Sequence, residues 1–414
     1  MPDRTAAAVA DAYRREWAYV LAATARFTHD LDLAEDATAD AFATAVETWP
    51  RDGVPRSPGG WLTTTARRRA LDALRRRQTL RSKLPLLVEP AGADSVEDAV
   101  LEDEPAVTDD LLRLVFTCCH PALAREAQVA LTLRLVCGLS TAEVAASFLV
   151  SESTMAARVT RAKKKIAAAR IPYRVPLAAE LPERLDAVLT VVHLVFTAGH
   201  TAGSDQLVRP ELVSRAIALA RTLVEVMPDE REARGLLALT LLTDARRQTR
   251  IDSAGHLVLL ADQDRTAWDR SAIAEGRRLV SESLRGERPG RFALQAAIAA
   301  LHAEAPRWAD TDWRQIVGLY DVLLGAWPSP VVALNRAVAV AMADGPRAGL
   351  DQLALIEDDP RLAGYRYLPT ARADLLRRLG RRDEATAAYR EALAHTDAGP
   401  EREYLLHRLA EVER

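Results

Sequence analysis

Between residues 153 and 166 the apolar side chains Met155, Val159, Ala162 and Ile166 recur at i, i+4, i+7 and i+11. That period buries one stripe of an α-helix and cannot bury one face of a strand. The opposite face carries Ser153, Thr154, Ala157, Arg158, Arg161, Lys164 and Lys165. The broken segment LVSES precedes this helix. Before it, Ser140 and Glu143 stand three apart, a capping box that opens a shorter helix with Val144 and Phe148 directed inward. Two helices joined by a tight turn, the second small and polar at its start and cationic further on, form the layout of a helix-turn-helix. Its N-terminal side chains reach base edges in the major groove and its later cations bind phosphate. The competing reading is a plain amphipathic pair with a solvated basic face.

Helical signals fill the rest of the chain. Only 5% of the residues are aromatic, while 49% are hydrophobic. Ala, Leu and Val suit close helix packing better than a sandwich of strands. The expected fold class is all-α. A length of 414 residues implies several domains. No apolar run reaches the ~20 residues of a membrane span. The N-terminus is charged throughout, so a cytoplasmic, soluble chain is expected. Three Cys exclude a disulfide scaffold.

Charge is strongly segregated. Residues 66–83 hold eight basic residues and one acid, 84–110 hold nine acids and no base, and 111–175 hold ten bases against three acids. Two basic modules about an acidic connector point to a polyanionic partner touched at two places. Proline and glycine set the boundaries. The expected domains are 8–83, an acidic linker 84–107, 108–171, and a helical extension of 177–290 and 291–414. Asp32 is the expected N-cap of LAEDATADAFATAVETW, whose apolar stripe is Phe42, Val46 and Trp49. A loop is expected over 50–60, with helix resuming at Trp61. Thr108 is expected to cap the next helix and Pro121 to start the one after.

With those residues in view, the chain resembles bacterial extracytoplasmic-function (ECF) sigma factors. TAEVAASFLVSESTMAARVTRAKKKI resembles their region four, LAEDATADAFATAVETW their region-two helix that binds core polymerase, and GGWLTTTARRRALDALRRR the helix that meets the upstream-of-start promoter element. FTCCHPAL, IPYRVP, DARRQTRID and LADQDRTAWD are similar to segments of a subgroup with a long helical extension. Leu149 and Ala39 depart from the usual turn glycine and core-binding Gln.

The resemblance implies a sigma factor with two helical domains spread over RNA polymerase core, contacting its clamp coiled coil and flap, and promoter DNA. Asp36, Asp40 and Phe42 would bind polymerase. Trp61, Arg67, Arg68, Arg75 and Arg76 would meet melted promoter DNA, with Asp72 orienting Arg68 and Arg76. Ser153, Thr154, Ala157, Arg158, Arg161, Lys164 and Lys165 would bind the distal element. The acidic linker would either mimic nucleic acid in a basic channel or serve as a solvated tether. No cofactor, membrane partner or enzymatic activity is expected. The alternative is a helix-turn-helix regulator with a helical sensor that does not bind polymerase core.

Other clusters read as structural. Cys118, Cys119 and His120 are adjacent, which suits buried thiols better than zinc. GHTAGS at 199–204 lacks a phosphate-loop pattern, and Asp262, Asp264 and His256 read as turn or inter-helix polar contacts. In the extension, GRRDEATAAYREAL at 380–393 has tetratricopeptide-like spacing, and Gly345 precedes Gly380 by thirty-five residues. Such helix pairs bind a partner or dock on the same chain in cis.

Overall fold

The computed structural model of the chain describes residues 2–83, 107–148, 150–177, 179–200, 210–253, 255–286, 288–396 and 399–414. Most of the acidic connector, Leu149 and the 201–204 part of GHTAGS lie outside them. Among the described residues the secondary structure is helical, apart from one isolated antiparallel bridge between Ile251 and Leu257. The chain divides into two compact units, Met1–Leu194 and Val195–Arg414.

In the first unit α1 (Pro2–Thr28), α2 (Leu31–Asp52) and α3 (Pro58–Lys83) pack on one another. Their contact surfaces are rich in alanine: Ala22, Ala34, Ala41, Ala45, Ala66 and Ala70 are buried. Small side chains let the helix axes approach closely. Asp30, not Asp32, caps α2, accepting from the amides of Asp32 and Leu33 while its own backbone is extended. The expected stripe is also shifted. Phe42, Ala45 and Trp49 are buried, whereas Val46 is 58% exposed. Helix α2 runs on through Pro50 to Asp52, and α3 starts at Pro58 rather than Trp61. Proline lacks an amide donor that the first turn does not use, so Pro58 suits that position.

Helix α4 (Val107–Cys118) packs on α1. Pro121 sits in a turn, and the next helix, α5, starts later, at Arg125 (Arg125–Leu131). The Gln128 side-chain amide closes that turn by donating to the carbonyls of His120 and Leu123. A π-helical turn (Thr132–Val136) follows, then α6 (Thr141–Ser147) and α7 (Glu152–Ala168). The capping box is formed: the Ser140 amide donates to Glu143 at 2.7 Å, and the Glu143 amide donates to Ser140 Oγ at 3.2 Å. Ser151 caps α7 by accepting from the Thr154 amide. Met155, Val159, Ala162 and Ile166 are the buried residues of α7, as their period requires. Truncating the fully buried Met155 to Ala should cost about 2–5 kcal/mol. The first unit also takes in Tyr173, whose hydroxyl donates to the carbonyls of Ala22 and Asp110, and Arg184, which donates to the Phe116 carbonyl. Arg184 lies on α8 (Leu181–His200), whose last residues enter the second unit.

The second unit continues with α9 (Pro210–Val226), α10 (Arg231–Asp244), α11 (Arg270–Ser283) and α12 (Arg291–Glu304). Helices α10 and α12 cross closely at Gly235, where an added Cβ would lie 2.5 Å from the Ala293 amide nitrogen. From α13 (Trp313–Ala326) onward each helix packs on the next: α14 (Pro330–Ala343), α15 (Pro346–Ala354), α16 (Tyr367–Arg378), α17 (Arg382–Ala394) and α18 (Pro400–Glu413). Gly345 and Gly380 have φ of 99° and 73°, which a side chain would resist, and each precedes the second helix of a pair. Ala385, Tyr389 and Ala392 are buried on α17 as the repeat spacing requires.

Candidate nucleic-acid interface

The cations of α7 divide by direction. Arg161, Lys164 and Lys165 are exposed beside Ser153, Thr154 and Ala157. Among the described residues none of those three cations has an ion pair. Arg158 is half-buried, its guanidinium 5.3 Å from the ring centroid of Phe148, in the turn that follows α6. The ring stiffens Arg158 and fixes its height on the helix. Lys163, between them in sequence, turns the other way into the protein.

Lys163 contacts α2 through an ion pair to Asp32 at 2.8 Å and a hydrogen bond to Glu35. Glu35 is itself buried and also pairs with Arg134 at 2.5 Å. Arg134 further donates to the Leu139 carbonyl at 2.8 Å. Burial disfavours the Lys163 ammonium, but Glu35 and Asp32 outweigh it and hold its pKa above the ordinary value. The Trp17 indole of α1 donates to the Leu135 carbonyl at 3.1 Å, and the Tyr13 hydroxyl donates to that of Gly138 at 3.0 Å. Five contacts thus bond the α5–α7 module to the α1–α3 module. Glu35 was not singled out from sequence. Its partners lie about a hundred residues away, and no local pattern marks it.

On α3, Arg68, Arg75 and Arg76 are exposed and Arg67 is half-buried. Arg76 donates to the Asp72 carbonyl at 3.2 Å, not to the carboxylate expected to orient it. Arg77 is held by Asp30 at 3.0 Å and Arg69 donates to Thr44. Trp61 is half-buried, its ring edge-on to Trp49 at 5.6 Å.

The expected polymerase-binding residues separate. Asp36 and Asp40 are exposed on α2 beside Ala39. Burial and the neighbouring Glu35 carboxylate raise the Asp36 pKa. Phe42 is 5% exposed and packs against Tyr13 and Trp17, so its ring offers no surface to a partner. The large apolar residue exposed on this part of α2, among the described residues, is Val46. Cys118 and Cys119 are buried, and burial pushes the Cys119 thiol up to about 11. Asp264 spends its carboxylate on the amide and hydroxyl of Thr266, and Asp252 on His256.

Residues 12–79 match the family model for sigma-70 region 2, residues 113–166 that for sigma-70 region 4, and residues 184–284 a family of unknown function, DUF6596. An uncharacterized protein of Rhizobium meliloti (strain 1021) is 43% identical over 389 residues, covering 93% of this chain and 91% of that protein. No solved structure matches.

Proposed function

The chain belongs to the extracytoplasmic-function sigma factors, and from that premise we propose which of its surfaces meet polymerase and promoter. Helix α7 enters the major groove of the distal element. Ser153, Thr154 and Ala157 approach base edges, and Arg158, Arg161, Lys164 and Lys165 approach phosphate. Arg67, Arg68, Arg75 and Arg76 on α3 track the melted strand beside Trp61. Asp36, Asp40 and Val46 on α2 take the polymerase clamp coiled coil. Sigma factors act by binding, so no catalytic residue is assigned. The free chain rests closed, with Lys163 and Arg134 on Glu35, and polymerase separates the modules. The extension sets activity in cis.

The observation that best supports this reading is the two-sided α7. Its apolar stripe is fully used by the core, and Arg161, Lys164 and Lys165 face outward with no acidic partner among the described residues. The test is promoter binding by the reconstituted holoenzyme across a salt series. Replacing Arg161 and Lys164 together by Ala should weaken binding and reduce the salt slope by about 2, since each lost phosphate contact removes about 0.9. An unchanged slope rejects the placement of α7. Failure of the wild-type chain to bind polymerase core at all would favour the regulator that acts without it.

A further inference from the structure

The second unit holds a half-open cavity of about 330 Å³ between α10, α12, α13 and α14. Its walls include Leu242, Ile298 and Val332, and its polar groups include Arg246, Tyr320 and Asn335. That size lies within the range of small-molecule sites.

The charge inside does not balance. Arg246 is half-buried, lines the cavity, and has no carboxylate partner among the described residues. Burial and the cations of Arg250 and Arg265 push its pKa down to about 10. Asp244, two residues away, is engaged by Arg247 at 3.0 Å. Arg250 donates to the His200 carbonyl. Arg265 donates to the carbonyls of His302 and Ala305 at 2.6 and 2.7 Å and lies over the Trp268 ring. These hydrogen bonds are to dipoles; Asp244 and Glu401 act on Arg250, and Asp310 on Arg265, through space, but no acid among the described residues acts on Arg246. The imidazoles stay neutral: burial and the adjacent arginines lower His302 to about 4 and His200 to about 3. His302 Nδ1, buried at the cavity, has no hydrogen-bond partner. A buried, unpaired cation is costly to folding unless an anion compensates it.

We propose that this cavity binds a small organic acid, with its carboxylate on Arg246 and its apolar body among Leu242, Ile298 and Val332. A guanidinium takes a carboxylate in a two-point contact, and Tyr320 and Asn335 can supply further hydrogen bonds. A phosphate would leave the apolar wall unused. The segments DARRQTRID and LADQDRTAWD, which have no part in the polymerase or promoter surfaces, supply Arg246, Arg250, Arg265 and Trp268 to this region. The site stands apart from the promoter reading, and each can fail without the other.

The experiment is thermal unfolding of the full chain at neutral pH and fixed ionic strength. The probes are benzoate, phenylacetate and octanoate, the neutral amide of each, and inorganic phosphate. At about five times its Kd an acid should raise the melting temperature of the second unit by about 2–4 °C, and its amide should not. Arg246→Met should abolish that response and should not lower the melting temperature without ligand, because it removes an uncompensated charge. Ala299→Leu fills the cavity, keeps Arg246, and should also block the response. No shift with any acid, or an equal shift in Arg246→Met, overturns the site. A shift with phosphate alone overturns the assignment of an organic acid.

Discussion

Glu35→Gln is the substitution that most directly probes how the two modules of the first unit are held together. It keeps the shape of the side chain and removes its charge. Lys163 and Arg134, with side chains 9% and 24% exposed, then lose their shared counter-ion. Removing one partner of a buried pair costs about 3–5 kcal/mol. Lys163 keeps Asp32, which is 60% exposed, and Arg134 keeps the Leu139 carbonyl, so part of that cost is recovered. A loss of about 2–3 kcal/mol is therefore expected at pH 7. Urea unfolding of the first unit measures it. A double-mutant cycle with Lys163→Met should give a coupling of about 1 kcal/mol or more. The pH dependence has a definite sign. The Lys163 pKa is raised in the folded chain, so its contribution is complete below the ordinary value of 10.5 and fades as pH climbs past it. The gap between wild type and Glu35→Gln should persist to that point and narrow above it. A variant within about 0.5 kcal/mol of wild type would refute the ionic closure, since that is the range of ordinary surface changes.

Two further outcomes are expected. Replacing Asp36 and Asp40 together by Arg should abolish holoenzyme assembly, read by co-migration with polymerase core, and should leave the helical circular dichroism intact; assembly at wild-type level would remove α2 from the interface. Ending the chain after Leu194, where the first compact unit closes, should change run-off transcription from its promoter markedly in one direction. Equal activity at equal folded concentration would leave the extension without a role in cis. A cut at Arg174 is unsuitable, because it also removes Arg184 from the Phe116 carbonyl.

The readings that came through from sequence were those whose physics is local. The Ser140–Glu143 box closes over three residues, and the α7 stripe repeats within one helix. Neither needs knowledge of what packs against it. On α2 the same reasoning failed by one residue. After Phe42 both Ala45 and Val46 continue a helical stripe, and hydrophobicity alone favours Val46. The fold buries Ala45, because a close crossing of α2 with its neighbours rewards a small side chain more than a branched one. Asp30 over Asp32 was a choice of the same kind between two chemically equal caps.

What could not be read concerns where charge is spent. In the run Lys163, Lys164, Lys165 the sequence offers three equal cations, yet one is buried against α2 and two face outward. The 100° step of the helix fixes that at most one of three consecutive residues shares the direction of the buried stripe, but not which acid waits there. Glu35 lies on the buried side of α2 only because two cations more than ninety residues later meet it. The arginines of the second unit pose the converse case. A run such as DARRQTRID reads as a solvated face, and only the fold reveals that Arg246 is half-buried near other cations and, among the described residues, without a carboxylate partner. A charged residue can be assigned from sequence alone to neither surface nor core, because the deciding quantity is its partner. For Lys163 that partner is another helix of the same unit, and for Arg246 it is to be sought outside the chain.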